Sequence, residues 1–255
     1  MTAADPPLQD ARVLVTGGAK GIGAAISERL AAAGADLVVS GRHAAELDAY
    51  AAELSGRSGR RVLGVAADLA EPEAPELLAD AAWTALGGLD VLVNNAGMSI
   101  TGPAAQLRAA DWDAVLAVNL RAPALLAARL GARMADAGGG RIITIASAAG
   151  LRALPEHYSY CASKAALIMA TRVLALELGP RGVRANSICP TVVLTEMGIQ
   201  VWGEQAKSAP MLARIPAGHF AQPVDVAEAV LYLASPAAEM INGTELVLDG
   251  GYLAT

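Results

Sequence analysis

The chain is short of several residue types, and each shortage removes a class of explanation. Its 255 residues include two cysteines, Cys161 and Cys189, too few for a disulfide framework. They read as small buried residues in a reducing compartment, so a cytoplasmic location is expected. The three histidines, His43, His157 and His219, are never at ligand spacing, and no metal site is expected. A formal net charge of -6 leaves no basic stripe to contact phosphates, which argues against nucleic acid and anionic membrane surfaces as partners. No run of about 20 uninterrupted apolar residues is present. Residues 1–10, with two acids and two prolines, match neither a signal peptide nor an anchor. What remains is a chain 54% hydrophobic and 17% charged, too apolar for disorder and long enough for a large core.

β-branched and apolar runs predict strands at 12–16, 36–40, 61–66, 89–93, 141–146, 184–188 and 245–248. Between them, helical spacing predicts helices at 22–33, 43–54, 72–86, 111–137 (opened by an Asp111 cap) and 158–178, with shorter ones near 203–212 and 223–234. Regular alternation of strand and helix implies parallel pairing, because a parallel connection needs a crossover helix. The expected fold class is therefore α/β: a single-domain, Rossmann-type, doubly wound parallel sheet with helices on both faces, spanning 1–255. Such sheets bind ligands beyond the carboxyl ends of their strands. The stretch at about 191–222 is irregular and is expected to act as a lid.

The first predicted strand runs into Thr16-Gly17-Gly18-Ala19-Lys20-Gly21-Ile22-Gly23, which opens the first helix. Gly17, Gly21 and Gly23 let the backbone approach a pyrophosphate, and the helix N-terminus supplies N–H groups and the positive end of its dipole. Binding of NAD is usually marked by an acid at the end of the second strand. Here that place reads Ser40-Gly41-Arg42. A carboxylate would repel a 2′-phosphate and Arg42 would attract one, with Lys20 approaching from the glycine turn. Lysine is used only three times against sixteen arginines, so a lysine in that turn is a pointed choice. The expectation is NADP(H), with NAD(H) possible.

Tyr160 and Lys164 are four apart on one helix face. Ser147 precedes Tyr160 by thirteen residues, at the end of the fifth strand, and Asn119 sits inside a predicted helix, where an amide needs a partner. Asn94-Asn95-Ala96-Gly97 follows the fourth strand. Together with the glycine turn, these motifs resemble the short-chain dehydrogenase/reductase family over residues 12–252. The resemblance implies that Tyr160 is the general acid/base, that Ser147 holds the substrate oxygen and that Asn119 orders a relay water. It implies that Lys164 binds the nicotinamide ribose and lowers the Tyr160 pKa. It further implies cofactor contacts from Ile22, Asp68 and Leu69 (adenine), Asn95, Ala96, Gly97, Val193 and Thr195.

The usual Pro-Gly of the family is Pro190-Thr191 here, and with Trp202, His157 and the run Met211–Pro216 it resembles the L-xylulose (dicarbonyl/carbonyl) reductase and polyol dehydrogenase branch. That implies small polyhydroxy or dicarbonyl substrates, with His157 and Trp202 in the substrate pocket, and a homotetramer built on the two long helices. Ala148 stands where the branch carries a polar side chain. Two other readings stay open. A 3-oxoacyl carrier-protein reductase would need a basic patch, for which Arg129, Arg133 and Arg172 are candidates. A non-catalytic nucleotide-sensing protein would have no need of the Tyr–Lys pair.

Overall fold

The computed structural model describes residues 6–202 and 204–255. Residues 1–5 and Gly203, at the expected start of a helix, lie outside the described residues. The strands are β1 (Arg12–Thr16), β2 (Asp36–Gly41), β3 (Val62–Ala66), β4 (Val91–Asn94), β5 (Gly140–Ile145), β6 (Val183–Pro190) and β7 (Glu245–Leu248). They form one sheet in the order β3-β2-β1-β4-β5-β6-β7, every pair parallel. The helices are α1 (Gly21–Ala32), α2 (Ala44–Ser58), α3 (Ala74–Leu86), α4 (Ala109–Leu116), α5 (Ala122–Asp136), α6 (Tyr158–Leu178), α7 (Glu196–Trp202), α8 (Gln205–Leu212) and α9 (Pro223–Ala234).

Strand alternation divides the core in two. Val13 and Val15 of β1 face a cluster with Ile26 and Leu30 of α1, Leu47 of α2 and Val226 and Val230 of α9. Leu14, between them, faces the opposite cluster with Leu78 of α3 and Leu126, Leu130 and Met134 of α5. Burial on both faces explains why β1 is a continuous apolar run rather than an alternating one. From β1 the chain builds outward through β2 and β3, then returns to β4 on the other side, so the crevice opens between Thr16 and Asn94.

Side chains fasten that crevice. The Thr16 hydroxyl accepts from the backbone N–H groups of Asn95 and Ala96, both at 3.0 Å. In return the Asn95 amide donates to the carbonyls of Thr16 (2.9 Å) and Gly17 (3.2 Å). At the far end of the same strands, Arg12 grips Asp90 through Nη2 at 2.7 Å.

Three local expectations are corrected. The helix expected over 111–137 starts at Ala109, and Asp111 pairs with Arg108 (Nε to Oδ2, 2.7 Å) instead of capping it. That helix is also interrupted by a π turn at Ala117–Arg121 between α4 and α5. The stretch 191–222 is not irregular throughout: it holds α7 and α8. The Thr195 hydroxyl accepts from Gly198 N–H at 3.0 Å and caps α7, which was not expected, while α8 falls where a short helix was expected near 203–212. The run Ala109–Asp136 is long and apolar enough to cross a membrane by length and composition. Here it is a core helix, packed on α3 and α6, with Arg129 and Arg133 paired to Asp80.

Gly23 is required by space: a Cβ there would lie 2.0 Å from the Gly17 carbonyl oxygen and 2.6 Å from Asn95 Nδ2. Gly23→Ala should cost at least about 3 kcal/mol, because backbone rather than a rotatable side chain is in the way. Urea unfolding of the two proteins measures the difference, and an equal midpoint would refute the packing.

Candidate active site

Tyr160 and Lys164 project one turn apart from the first half of α6. Lys164 is 3% exposed, and its Nζ donates to the Ile145 carbonyl at 2.8 Å and lies 5.7 Å from the Tyr160 ring centre. Burial drives the ammonium down from 10.5 to about 8. Burial also pushes the Tyr160 phenol up, opposed mainly by the hydroxyl of Ser147. In the free chain the net direction is upward: the amine is turned toward a carbonyl, and desolvation of the phenolate wins. Ser147 follows β5, is nearly buried, and its Oγ accepts from Ala149 N–H at 3.1 Å. Cys189, fully buried nearby, has its thiol pushed up to about 11 by burial and stays un-ionised.

The π turn explains Asn119. Its side chain is fully buried, with Oδ1 accepting from Met98 N–H at 2.8 Å and Nδ2 donating to the Met98 carbonyl at 2.8 Å and to Ser163 Oγ at 3.2 Å. Three of the four bonds an amide can make are therefore used, two in holding the segment after β4 and one in tying it to α6. A Cβ on Gly97 would stand 3.5 Å from both Asn119 Oδ1 and Lys164 Nζ, so this segment threads between them. Asn95 spends its side-chain amide on Thr16 and Gly17, shaping the glycine turn, and lines the cavity beside Tyr160 and Lys164.

Two cavities run along the carboxyl ends of the strands and share Gly97 and Met98. One, of about 660 Å³, is lined by Gly17, Lys20, Ser40, Arg42, Asp68, Leu69 and Ala96. The other, of about 430 Å³, is lined by Ile22, Ser147, His157, Tyr160, Lys164, Val193, Thr195 and Trp202. A nicotinamide dinucleotide fits this pair. Gly17 and Gly21 have φ values of 63° and 53°, and α1 begins at Gly21 without a side-chain cap, leaving its N–H groups facing the crevice. Gly21 also lies where a Cβ would meet Thr195 Cγ2 at 3.2 Å, which brings the chain leaving β6 against the glycine turn. Arg42 is exposed at the end of β2 and has no hydrogen-bond or ion-pair partner among the described residues. Lys20 is paired with Glu46 at 2.5 Å. Asp68 accepts from Ala70 N–H at 3.0 Å.

His157 stands edge-on to Tyr160 with ring centres 6.1 Å apart, and its Nδ1 is 2.8 Å from the Pro155 carbonyl. Trp202 tilts against Phe220 at 5.8 Å. Two residues that sequence reasoning passed over also line this cavity, Arg152 and Tyr252. The Gly250-Gly251 pair that aims Tyr252 was the available signal. Arg129, Arg133 and Arg172 do not form a free basic patch: the first two pair with Asp80, and Arg172 pairs with Glu245 at 2.7 Å.

A parallel doubly wound sheet with this tyrosine–lysine pair defines a class of dinucleotide-dependent enzymes, and sequence comparison narrows it. A family model described as enoyl-(acyl carrier protein) reductase matches residues 17–253. D-threitol dehydrogenase of Mycolicibacterium smegmatis is 46% identical, over 94% of this chain and 91% of its own. L-xylulose reductase of Mesocricetus auratus is 40% identical, over 98% of this chain and 100% of its own. A putative NAD(P)-dependent gluconate 5-dehydrogenase from Beutenbergia cavernae, solved with NADP bound, superposes with a TM-score of 0.93 at 37% identity, covering 99% of this chain and 100% of that one. A putative short-chain alcohol dehydrogenase from Sinorhizobium meliloti gives 0.93 at 36% identity, covering 98% and 99%. The chain belongs to the short-chain dehydrogenase/reductase family. It is an oxidoreductase acting on CH–OH groups.

The lowered Lys164 pKa is a stability statement. Between about 8 and 10.5 the unfolded chain binds the proton that the folded chain has lost, so this group makes stability rise with pH across that window. Lys164→Met removes a penalty of about 3 kcal/mol at pH 7, of which the orphaned Ile145 carbonyl takes back about 1–2 kcal/mol. The variant should therefore be the more stable protein at pH 7 and lose that advantage by pH 10.5. Denaturant titrations at the two pH values check this, and a variant less stable at pH 7 would sink it.

Proposed function

We propose that this enzyme interconverts a ketone and a secondary alcohol on short polyhydroxy or vicinal dicarbonyl compounds, with NADP(H) preferred over NAD(H). The observation that carries the reading is the convergence of Ser147, Tyr160 and His157 on one cavity of about 430 Å³ whose far wall is Trp202. That is room for a short, hydroxyl-rich substrate. The names of full-length relatives point the same way, D-erythrulose reductase of Gallus gallus at 39% identity among them. The cofactor preference is supported by Arg42 standing without a partner where a 2′-phosphate would lie, with Lys20 close by on Glu46. Arg42 and Lys20 would take the 2′-phosphate, the Gly17–Gly23 turn the pyrophosphate, Asp68 and Leu69 the adenine, and Ala96, Gly97, Val193 and Thr195 the remainder.

When bound, the nicotinamide supplies a hydride to the carbonyl carbon in reduction and accepts one in oxidation. The chain's own groups manage the oxygen. Ser147 and Tyr160 meet at the end of β5, so the carbonyl oxygen lies between two hydroxyl donors. The raised phenol stays protonated at neutral pH and is ready to give its proton to that oxygen. Lys164, still mostly charged at pH 7, stabilises the phenolate left behind, and Asn119 holds the Met98 segment that closes this end of the site.

We further propose one catalytic domain over 1–255 with a lid at 191–222, in a cytoplasmic homotetramer. Exposed Leu125 on α5 and Met169, Val173 and Leu176 on α6 support the contact faces, and the two free cysteines support a reducing compartment.

The test is nicotinamide absorbance with NADPH and NADH across L-xylulose, erythrulose, diacetyl and an acetoacetyl thioester. Fast NADPH oxidation with a ketose or diketone is expected, whereas turnover of the thioester alone, or equal use of NADH, would overturn substrate or cofactor respectively. Reduction should weaken as pH rises through about 8, where Lys164 loses its charge. Tyr160→Phe should abolish turnover while NADPH binding, read by fluorescence, stays within about threefold.

A further inference from the structure

Most arginines of this chain have a carboxylate partner: Arg12, Arg29, Arg57, Arg60 and Arg108 do, as do Arg129, Arg133, Arg141, Arg172, Arg181 and Arg184. Arg152 and Arg214 have no Asp or Glu partner among the described residues, and both guanidinium groups lie over one ring, that of Tyr252, at 5.0 and 4.8 Å from its centre. Like charges do not gather on one ring unless the ring and its surroundings hold them there. Arg152 is held further: its Nη1 donates to the Tyr252 carbonyl at 3.0 Å and to the Thr255 carbonyl at 2.8 Å.

The backbone is built to put Tyr252 in that position. After β7, Gly250 and Gly251 take φ values of 60° and 94°, and a Cβ on Gly250 would come within 2.7 Å of Ile215 and 2.9 Å of Ala217. Nearly buried Asp249 accepts from the N–H groups of Gly251 (2.8 Å) and Leu253 (2.7 Å) and fixes the turn. Tyr252 is then 4% exposed, in a small apolar cluster with Ala148, Ile215 and Phe220 that is separate from both sheet cores. Arg152 comes from the loop that carries Ser147, and Arg214 follows α8. The ring therefore joins the lid to the catalytic loop, and it lines the cavity that holds Tyr160.

We infer that Tyr252, clasped by Arg152 and Arg214, is a positioning and specificity-determining residue: it latches α8 to the Ser147 loop and walls the cavity, restricting it to short substrates. The restriction to short substrates rests on the ketone/alcohol reading above, whereas the latch does not. The phenol hydroxyl has no partner among the described residues, so the ring is what matters, and Tyr252→Phe should behave as wild type.

The experiment compares wild type, Tyr252→Phe, Tyr252→Leu and Arg214→Gln in two readouts. In the first, backbone hydrogen exchange of residues 205–216 without substrate should accelerate about tenfold in Tyr252→Leu and Arg214→Gln and not in Tyr252→Phe. In the second, KM for erythrulose should rise about tenfold in the same two variants with kcat within about threefold, while the bulkier 1-phenyl-1,2-propanedione gains in kcat/KM. Unchanged exchange in both variants would overturn the latch, and unchanged KM with no gain for the bulky diketone would overturn the specificity role. Tyr252→Phe failing like Tyr252→Leu would overturn the ring as its basis. Should Tyr252→Leu not fold, the exposed Arg214→Gln decides both points. Wild type inert toward every ketone would defeat the functional reading and the specificity role together, leaving exchange to judge the latch.

Discussion

The hydroxyl of Thr16 receives two backbone N–H groups from the chain leaving β4, and the Asn95 amide answers by binding the two carbonyls where β1 becomes the glycine turn. This reciprocal set fixes the place where the two halves of the sheet diverge. The rest of the site inherits its geometry from it. The glycine turn is held open toward the crevice, and the Gly97–Met98 segment is delivered between Asn119 and Lys164. Polar groups at the mouth of a parallel sheet would be costly if left without partners. Here their pairing is what makes the mouth rigid.

Much of this was readable from the chain. Strands buried on both faces announce themselves as β-branched runs, and all seven were located to within a residue or two. The reactive residue types, Ser147, Tyr160 and Lys164, stand at spacings that place them on one strand end and one helix face, and the structure brings them to one cavity. What was hidden depends on tertiary surroundings. The direction of the Tyr160 shift follows from burial, which spacing does not encode. The work of Asn95 and Asn119 depends on which carbonyls lie opposite them. Of the two helices in 191–222, α8 was expected near 203–212, whereas α7 was missed because seven residues carry too little periodicity. Arg152 and Tyr252, a hundred residues apart, meet only because two glycines turn the chain back after β7.

Charge is used in two distinct ways. Most arginines are matched by acids across helices and strand ends among the described residues, an arrangement of many weak contributions. Of the five arginines without an acid among the described residues, three lie at the cavities or beside them: Arg42 at one end, Arg152 and Arg214 at the other. Lys164 is the opposite case, a cation taken out of water with a single carbonyl for a partner. Under the role proposed for Tyr160 that charge serves the phenol, and the two large apolar clusters supply the stability that offsets its burial.

The third apolar cluster, around Ala148, Ile215, Phe220 and Tyr252, shares no residue with those two. Val192, Trp202 and Met211 of this cluster line the cavity, so substitutions there change its shape from outside the two clusters that cover the sheet. A lineage carrying this scaffold can drift from one diet of small molecules to another through a handful of exchanges in one peripheral module, while its foldedness, and the reaction it performs, stay under separate selection.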